Sequence, residues 1–162
     1  MAATITVEDG TQVTGANSYV TTAELSTYAD ERGVTISAAE QEDLLIEAMD
    51  YIESQSFKGY KLTETQALQW PRGDVLVDGY YIDTDEIPTL LKEAQMESAL
   101  AIDAGNSPIA NIERKKDRVV VGEIEVEYSS SSSSQVILQK VDLKLRKLIK
   151  NGGGSSFSVI RA

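Results

Sequence analysis

The sequence predicts a mainly α fold: a small bundle of about four helices, a short β-ribbon and an extended C-terminal arm. Three observations lead there. Apolar residues recur at helical spacing through residues 44–52 and 90–102. The period switches to two over residues 119–128. Six consecutive serines at 129–134 then separate that ribbon from a last amphipathic segment. The 162 residues divide accordingly into a helical body at 1–128 carrying its ribbon at 109–128, a Ser-rich linker at 129–134, and a helix with a tail at 135–162.

Each element has a local cause. Thr4-Ile5-Thr6-Val7 alternates polar with β-branched residues and reads as a short strand or extended arm. Thr21 and Glu24 are spaced as a capping box that opens a helix with Leu25, Tyr28 and Ala29 on one face, stopped by Gly33. Ser37 and Glu40 have the same spacing and predict the start of a second helix, whose Leu44, Leu45, Ala48, Met49 and Ile52 need cover. Thr63 and Gln66 predict a short third helix ending before Trp70-Pro71, since proline disfavours helical geometry in the residue before it. Residues 72–87 read as a loop. Pro88 sits at the favoured first-turn position of a long helix, with Leu90, Leu91, Ala94, Ser98, Ala101 and Ile102 as its buried stripe and Gly105 closing it.

Beyond Pro108, Val119, Val121, Ile124, Val126 and Tyr128 alternate with polar residues around Gly122, with Ile112 upstream. The last helix is expected over residues 135–150, a rod of ~24 Å. Ile137, Val141, Leu145 and Leu148 share its face, and Lys140, Lys144 and Lys147 line the edge. After the glycines at 152–154 comes a tail with one β-like burst, Phe157-Ser158-Val159-Ile160-Arg161, suited either to strand addition on another chain or to a frayed terminus.

Composition narrows the chemistry. The chain has no His and no Cys, so imidazole bases, thiolate nucleophiles, disulfides and zinc, haem or iron–sulfur sites built on those residues are excluded. Asp83, Asp85 and Glu86 are the best candidates for a hard cation, but the segment lacks the glycine and distal glutamate of a calcium loop. No phosphate loop or nucleophile elbow is present. We therefore expect no enzyme activity, no catalytic residues, no cofactor and no metal. No stretch approaches the ~20 apolar residues of a membrane span, and the first residues carry no signal-peptide pattern, so no membrane partner is expected.

Charge is divided unevenly. The net −11 splits into 19 acids and 5 bases over residues 1–100, and 7 acids and 10 bases over residues 101–162. Arg114, Lys115, Lys116 and Arg118 form one basic cluster, and Lys140, Lys144, Arg146, Lys147 and Lys150 a second. Solvated helix faces would account for such clusters. Asymmetry of this size favours contact with a protein partner, including another copy of the chain.

The residues themselves carry a resemblance. Gly15-Ala16-Asn17-Ser18-Tyr19-Val20, then Ala48-Met49-Asp50-Tyr51-Ile52, Phe57-Lys58-Gly59, Gln69-Trp70-Pro71-Arg72-Gly73, Asp78-Gly79, Ile87-Pro88 and Glu93-Ala94-Gln95-Met96-Glu97-Ser98-Ala99 follow in order. In that order and spacing the chain, over roughly residues 15–105, resembles a family of tailed bacteriophages labelled DnaT-like single-stranded DNA-binding protein. It is similar to the head–tail connector proteins of the phage neck. The Ser run and the glycines at 152–154 depart from that pattern.

The resemblance implies a structural adaptor, commonly a dodecameric ring, that joins the portal protein to a tail-side neck or tail-terminator protein. Such a ring, assembled in the host cytoplasm and held in the virion neck, extends the channel through which double-stranded DNA passes without sequence recognition. An acidic channel wall would repel passing phosphates. The resemblance makes Asn17, Tyr19, Trp70, Pro71, Arg72 and Pro88 structural positions. By analogy with such adaptors, Lys140, Val141, Lys144, Leu145, Lys147, Leu148, Phe157, Val159, Ile160 and Arg161 would dock on the portal or a neighbouring subunit. Deleting residues 135–162 is then expected to abolish assembly and leave the body folded. The alternative function is single-stranded DNA binding through the basic C-terminal segment.

Overall fold

A buried run of six residues, Ala94 to Ala99, makes one helix the spine of the molecule. The computed structural model describes residues 4–107, 118–121, 124–127 and 138–150. Within them lie α1 (Thr22–Asp30), α2 (Gln41–Glu53), α3 (Thr89–Asp103) and α4 (Gln139–Leu145), with three two-stranded antiparallel ribbons. These are β1 (Tyr60–Lys61) with β2 (Arg72–Gly73), β3 (Leu76–Val77) with β4 (Tyr80–Tyr81), and β5 (Arg118–Val121) with β6 (Ile124–Glu127). Helices dominate, as the periodicity predicts.

The helices sort their apolar faces into two clusters. Leu45 and Ala48 of α2 meet Met96 and Ala99 of α3, together with Val20, Leu25, Tyr28 and Ala29 around α1. Met49 and Ile52 instead join Leu91 and Ala94, Phe57, Trp70, and Val141, Leu145 and Leu148 from the C-terminal segment. Because the start of α2 pairs with the end of α3 and the reverse, the two helices run antiparallel. The fully buried Gln95 stitches the seam. Its amide accepts from Tyr19 N–H at 2.9 Å and donates to Ser18 Oγ at 2.9 Å and to the Leu45 carbonyl at 3.2 Å. A buried amide is stable only when its donors and acceptor are matched in this way.

Several expectations stand and several change. The Thr21–Glu24 capping box forms, and Leu25, Tyr28 and Ala29 are buried. The Ser37–Glu40 box does not: residues 38–40 make a turn, with Glu40 N–H on the Ser37 carbonyl, and α2 begins without a side-chain cap. The first strand is reduced to a bridge between Val7 and Ser18, held by Asn17, whose amide pairs with Thr6 N–H and the Thr4 carbonyl. Behind it Glu8 is fully buried, its carboxylate accepting from the N–H groups of Gly10, Gln12 and Val13. Gly10, at φ +106°, lies so close to Asp85 that a Cβ would sit 1.8 Å from the Asp85 carbonyl oxygen. Only glycine fits there.

No helix forms over residues 63–69. The buried Gln66 amide instead accepts from Leu62 and Thr63 N–H and donates to the Leu68 and Pro71 carbonyls, satisfying a loop that a helix would have satisfied itself. The Trp70–Pro71 peptide bond is cis. Residues 72–87, expected as loop, contain β2, β3 and β4. Asp78 and Gly79, at φ +52° and +90°, form the two-residue turn between β3 and β4, a hairpin signal that Asp-Gly carries in the sequence itself.

The C-terminal helix is shorter than expected and is part of the body. α4 has seven residues and is followed by turns to Lys150. Val141, Leu145 and Leu148 are almost fully buried in the cluster of Trp70 and Phe57. The chain after α4 pairs with residues 56–58: Lys58 N–H donates to the Leu148 carbonyl, Lys150 N–H to Ser56, and Ile149 bridges Phe57. A body that keeps its fold without residues 135–162 is therefore not expected, since four buried apolar side chains (Leu138 is the fourth) would leave with them. The Ser run and the tail, including Phe157, Val159, Ile160 and Arg161, lie outside the described residues, as do Arg114, Lys115 and Lys116.

Candidate interaction surface

The motif around Trp70 is built inward. Trp70 is fully buried and meets Phe57 edge-on, ring centroids 6.0 Å apart. Its backbone N–H donates to the Tyr19 hydroxyl, which in turn donates to Glu53 at 2.6 Å, and Gln69 N–H donates to the other Glu53 oxygen. Burial pushes the Glu53 carboxyl above its ordinary value, against the pull of those hydrogen bonds and of Lys61 and Arg72. Burial and the Glu53 charge likewise raise the Tyr19 hydroxyl well above the ordinary tyrosine value. Arg72 points its guanidinium at main-chain oxygens, donating to Lys58 at 2.7 Å, Gly59 at 3.0 Å and Gln69 at 3.2 Å, besides the Gln69 side chain. Both Trp70 and Arg72 are thus spent on holding the loop, and neither is free to stack on or pair with a nucleic acid. The structure brings together Tyr19, Trp70, Pro71 and Arg72; Asn17 sits on the N-terminal bridge and Pro88 at the start of α3.

The basic edge of α4 is turned onto the acidic body. Lys144 pairs with Glu93 on α3, and Lys147 with Asp78 at the tip of the β3–β4 hairpin. Lys140 lies 3.9 Å from Glu97, which also receives the Tyr28 hydroxyl and Arg32. The Arg32 guanidinium lies 3.2 Å over the centre of the Tyr28 ring. Asp142 accepts from the Tyr51 hydroxyl. Of the ten proposed docking residues, Val141, Leu145 and Leu148 are spent on this chain's own core, and Lys140, Lys144 and Lys147 face its acids.

Besides Leu143 on α4, the large apolar side chains exposed among the described residues lie in one stretch of the chain. Tyr60, Leu76, Tyr80 and Tyr81 are 60, 46, 80 and 68% exposed on the ribbons of the 60–81 region. The register sets Leu76 opposite Tyr81 and Val77 opposite Tyr80. Exposed acids flank them: Asp74, Asp78, Asp83, Asp85 and Glu86. Among the described residues no group of three or more Asp and Glu is gathered to hold a metal ion, and no helix is long and apolar enough to cross a membrane. The signal for this surface was the Asp-Gly turn between apolar pairs, Leu-Val and Tyr-Tyr.

A family model described as "Putative DnaT-like ssDNA binding protein" matches residues 3–162. The chain belongs to this family. Comparison with curated proteins and with solved structures finds no match. In this chain of the DnaT-like family the Trp70–Arg72 motif serves packing, and among the described residues exposed tyrosines and carboxylates gather in the 60–86 stretch.

Proposed function

We propose that this protein is a structural assembly part, an adaptor subunit of a phage neck that forms a ring, commonly dodecameric, between the portal and the next neck or tail protein. One observation carries the reading: of the large apolar side chains exposed among the described residues, all but Leu143 on α4 lie in the 60–86 stretch, three of them tyrosines, together with five exposed carboxylates. Exposed aromatic area is what a protein partner covers. The carboxylates around it repel phosphate. Two lysines of the basic C-terminal segment, the natural seat of a DNA contact, are already paired, Lys144 with Glu93 and Lys147 with Asp78, while Lys140, Arg146 and Lys150 stay exposed. The likeness of residues 15–105 to neck connectors supplies the portal, the virion neck as location and double-stranded DNA as passing cargo.

A second reading is single-stranded DNA binding, and the family's description favours it more directly than the ring. Here Tyr60, Tyr80 and Tyr81 would serve as a stacking platform. Two measurements separate the readings. Electron microscopy of the chain mixed with its portal is expected to show an added ring; portals left bare overturn the adaptor. Gel shift with single-stranded DNA at low salt is expected to show no retardation at micromolar protein. A shift that weakens steeply with salt would establish the second reading instead.

A further inference from the structure

We infer that the outward face of the β3–β4 hairpin docks an arginine-bearing segment of a protein partner. Alternation along the two strands divides the hairpin into two faces. Val75, Val77 and Ile82 turn inward and belong to the cluster around Trp70 or pack against it. Leu76 and Tyr81, opposite each other in the register, therefore share the other face and are exposed on it. The Cβ atoms of such a cross-strand pair stand about 5 Å apart, so the two side chains present one apolar patch. Tyr80, next to the Asp78-Gly79 turn, is exposed at the end of the hairpin. Among the described residues all three remain open to solvent.

Charge sets the chemistry of the occupant. From residue 73 to residue 91 the chain holds five acids and no base. Asp74, Asp83, Asp85 and Glu86, before and after the hairpin, are exposed, with Asp83 two positions beyond Tyr81. Asp78 at the tip already receives a cation, Lys147 of this same chain. Tyrosine and carboxylate together hold a guanidinium in two ways: the ring takes its face and the carboxylate takes its N–H groups. The chain shows that combination once within itself, on α1. Arg32 lies over the Tyr28 ring and donates through Nε to Glu97 at 3.2 Å. Arginine suits the surface better than lysine, because a planar guanidinium stacks and pairs at once. The same carboxylates repel the phosphates of a nucleic acid or an anionic lipid. The inference names the chemistry of the partner and rests on the adaptor reading only for that partner's place in an assembly.

The test uses the full chain and a short fluorescein-labelled peptide in which arginine alternates with glycine. Binding is followed by anisotropy at ~0.15 M salt, where charges more than about 8 Å apart are largely screened. Saturable binding is expected, weaker when lysine replaces arginine in the peptide. Tyr81→Ser should weaken it about 3-fold, and Tyr81→Phe, which keeps the ring, should restore it. Asp83→Asn with Asp85→Asn should weaken it about 3-fold as well. Glu40→Gln with Asp43→Asn removes the same charge from exposed positions at the start of α2, whose Leu45 and Ala48 belong to the other core cluster. That pair should change binding little. Unchanged Trp70 emission checks that each variant is folded. A peptide that does not bind overturns the inference, and so does indifference to Tyr81→Ser. Equal weakening by the hairpin pair and the α2 pair also overturns it, since attraction to net charge alone would then suffice. Displacement of the peptide by a single-stranded oligonucleotide would make nucleic acid the occupant. Self-association of the chain that Tyr81→Ser abolishes would make it a second copy; either result overturns the inference. Peptide binding by a chain that adds no ring to its portal sustains this inference and removes the adaptor, and a ring without peptide binding does the reverse.

Discussion

The two core clusters at opposite ends of the α2–α3 pair are built by different means. Around α1, the cluster of Leu25, Tyr28, Leu45, Ala48 and Met96 draws on helices whose caps and periodicity are local. Around Trp70, the second cluster is assembled from a loop held by Gln66 and Arg72, a bridge from residues 56–58 to the chain after α4, and α4 itself, some ninety positions along the chain from Tyr51. The first is secured by short-range geometry, the second by chain closure. The second should therefore be the one that a single deletion destroys.

Removing residues 138–162 offers the largest test. Four buried apolar side chains leave, at about 1.5–3 kcal/mol each, a loss comparable with the whole ~5–15 kcal/mol stability of a domain. Trp70 is the only tryptophan, so its emission reports the second cluster alone. A red shift with loss of cooperative unfolding is expected; an unchanged spectrum would show that α4 is not needed to close that cluster. Trp70→Ala should cost about 3–5 kcal/mol and Leu25→Ala about 2–5 kcal/mol in urea unfolding. Trp70→Ala should also loosen α4, read as faster amide exchange at Asp142 and Leu145, whereas Leu25→Ala should leave those amides protected.

Alkali should strike both clusters. The Tyr28 hydroxyl is raised by burial and by its hydrogen bond to Glu97, and Tyr51 by burial and its bond to Asp142, as Tyr19 is at Glu53. A tyrosine whose folded pKa lies above its unfolded value of 10.0 contributes stability that is complete below pH 10.0 and declines as pH rises toward the folded value. The urea midpoint is expected to fall above pH 10.0, and Tyr28→Phe or Tyr51→Phe should each flatten that fall. A midpoint indifferent to alkali would mean that these hydroxyls are not held as the structure shows. The smallest effect belongs to Lys147→Ala: its pair with Asp78 is half-exposed, and a change within ~1 kcal/mol is expected.

Legibility in the sequence follows the same division. The Thr21–Glu24 cap, the α2 and α3 stripes and the Pro88 start are local patterns, and the structure has them. The Ser37 box failed because the same spacing also suits a turn. The helix expected near residue 66 failed because one buried glutamine amide can satisfy a loop as well as a helix does. The stretch 72–87 reads as loop, yet the Asp78-Gly79 turn between apolar pairs is a local hairpin signal that the structure realises as β3 and β4.

By itself the sequence determined a helix-dominated fold free of imidazole and thiol chemistry, an acidic body and a basic C-terminal part, because composition and periodicity act within a few residues. Only the tertiary structure decided where that basic part goes. Val141 and Leu145 of α4, with Leu148 beyond it, pack in the cluster of Trp70, and Lys144 and Lys147 meet Glu93 and Asp78, since apolar burial between distant segments outweighs the solvation of a free helix. That choice spends part of the surface that looked ready for a partner, its apolar stripe and two of its lysines, on the chain's own body.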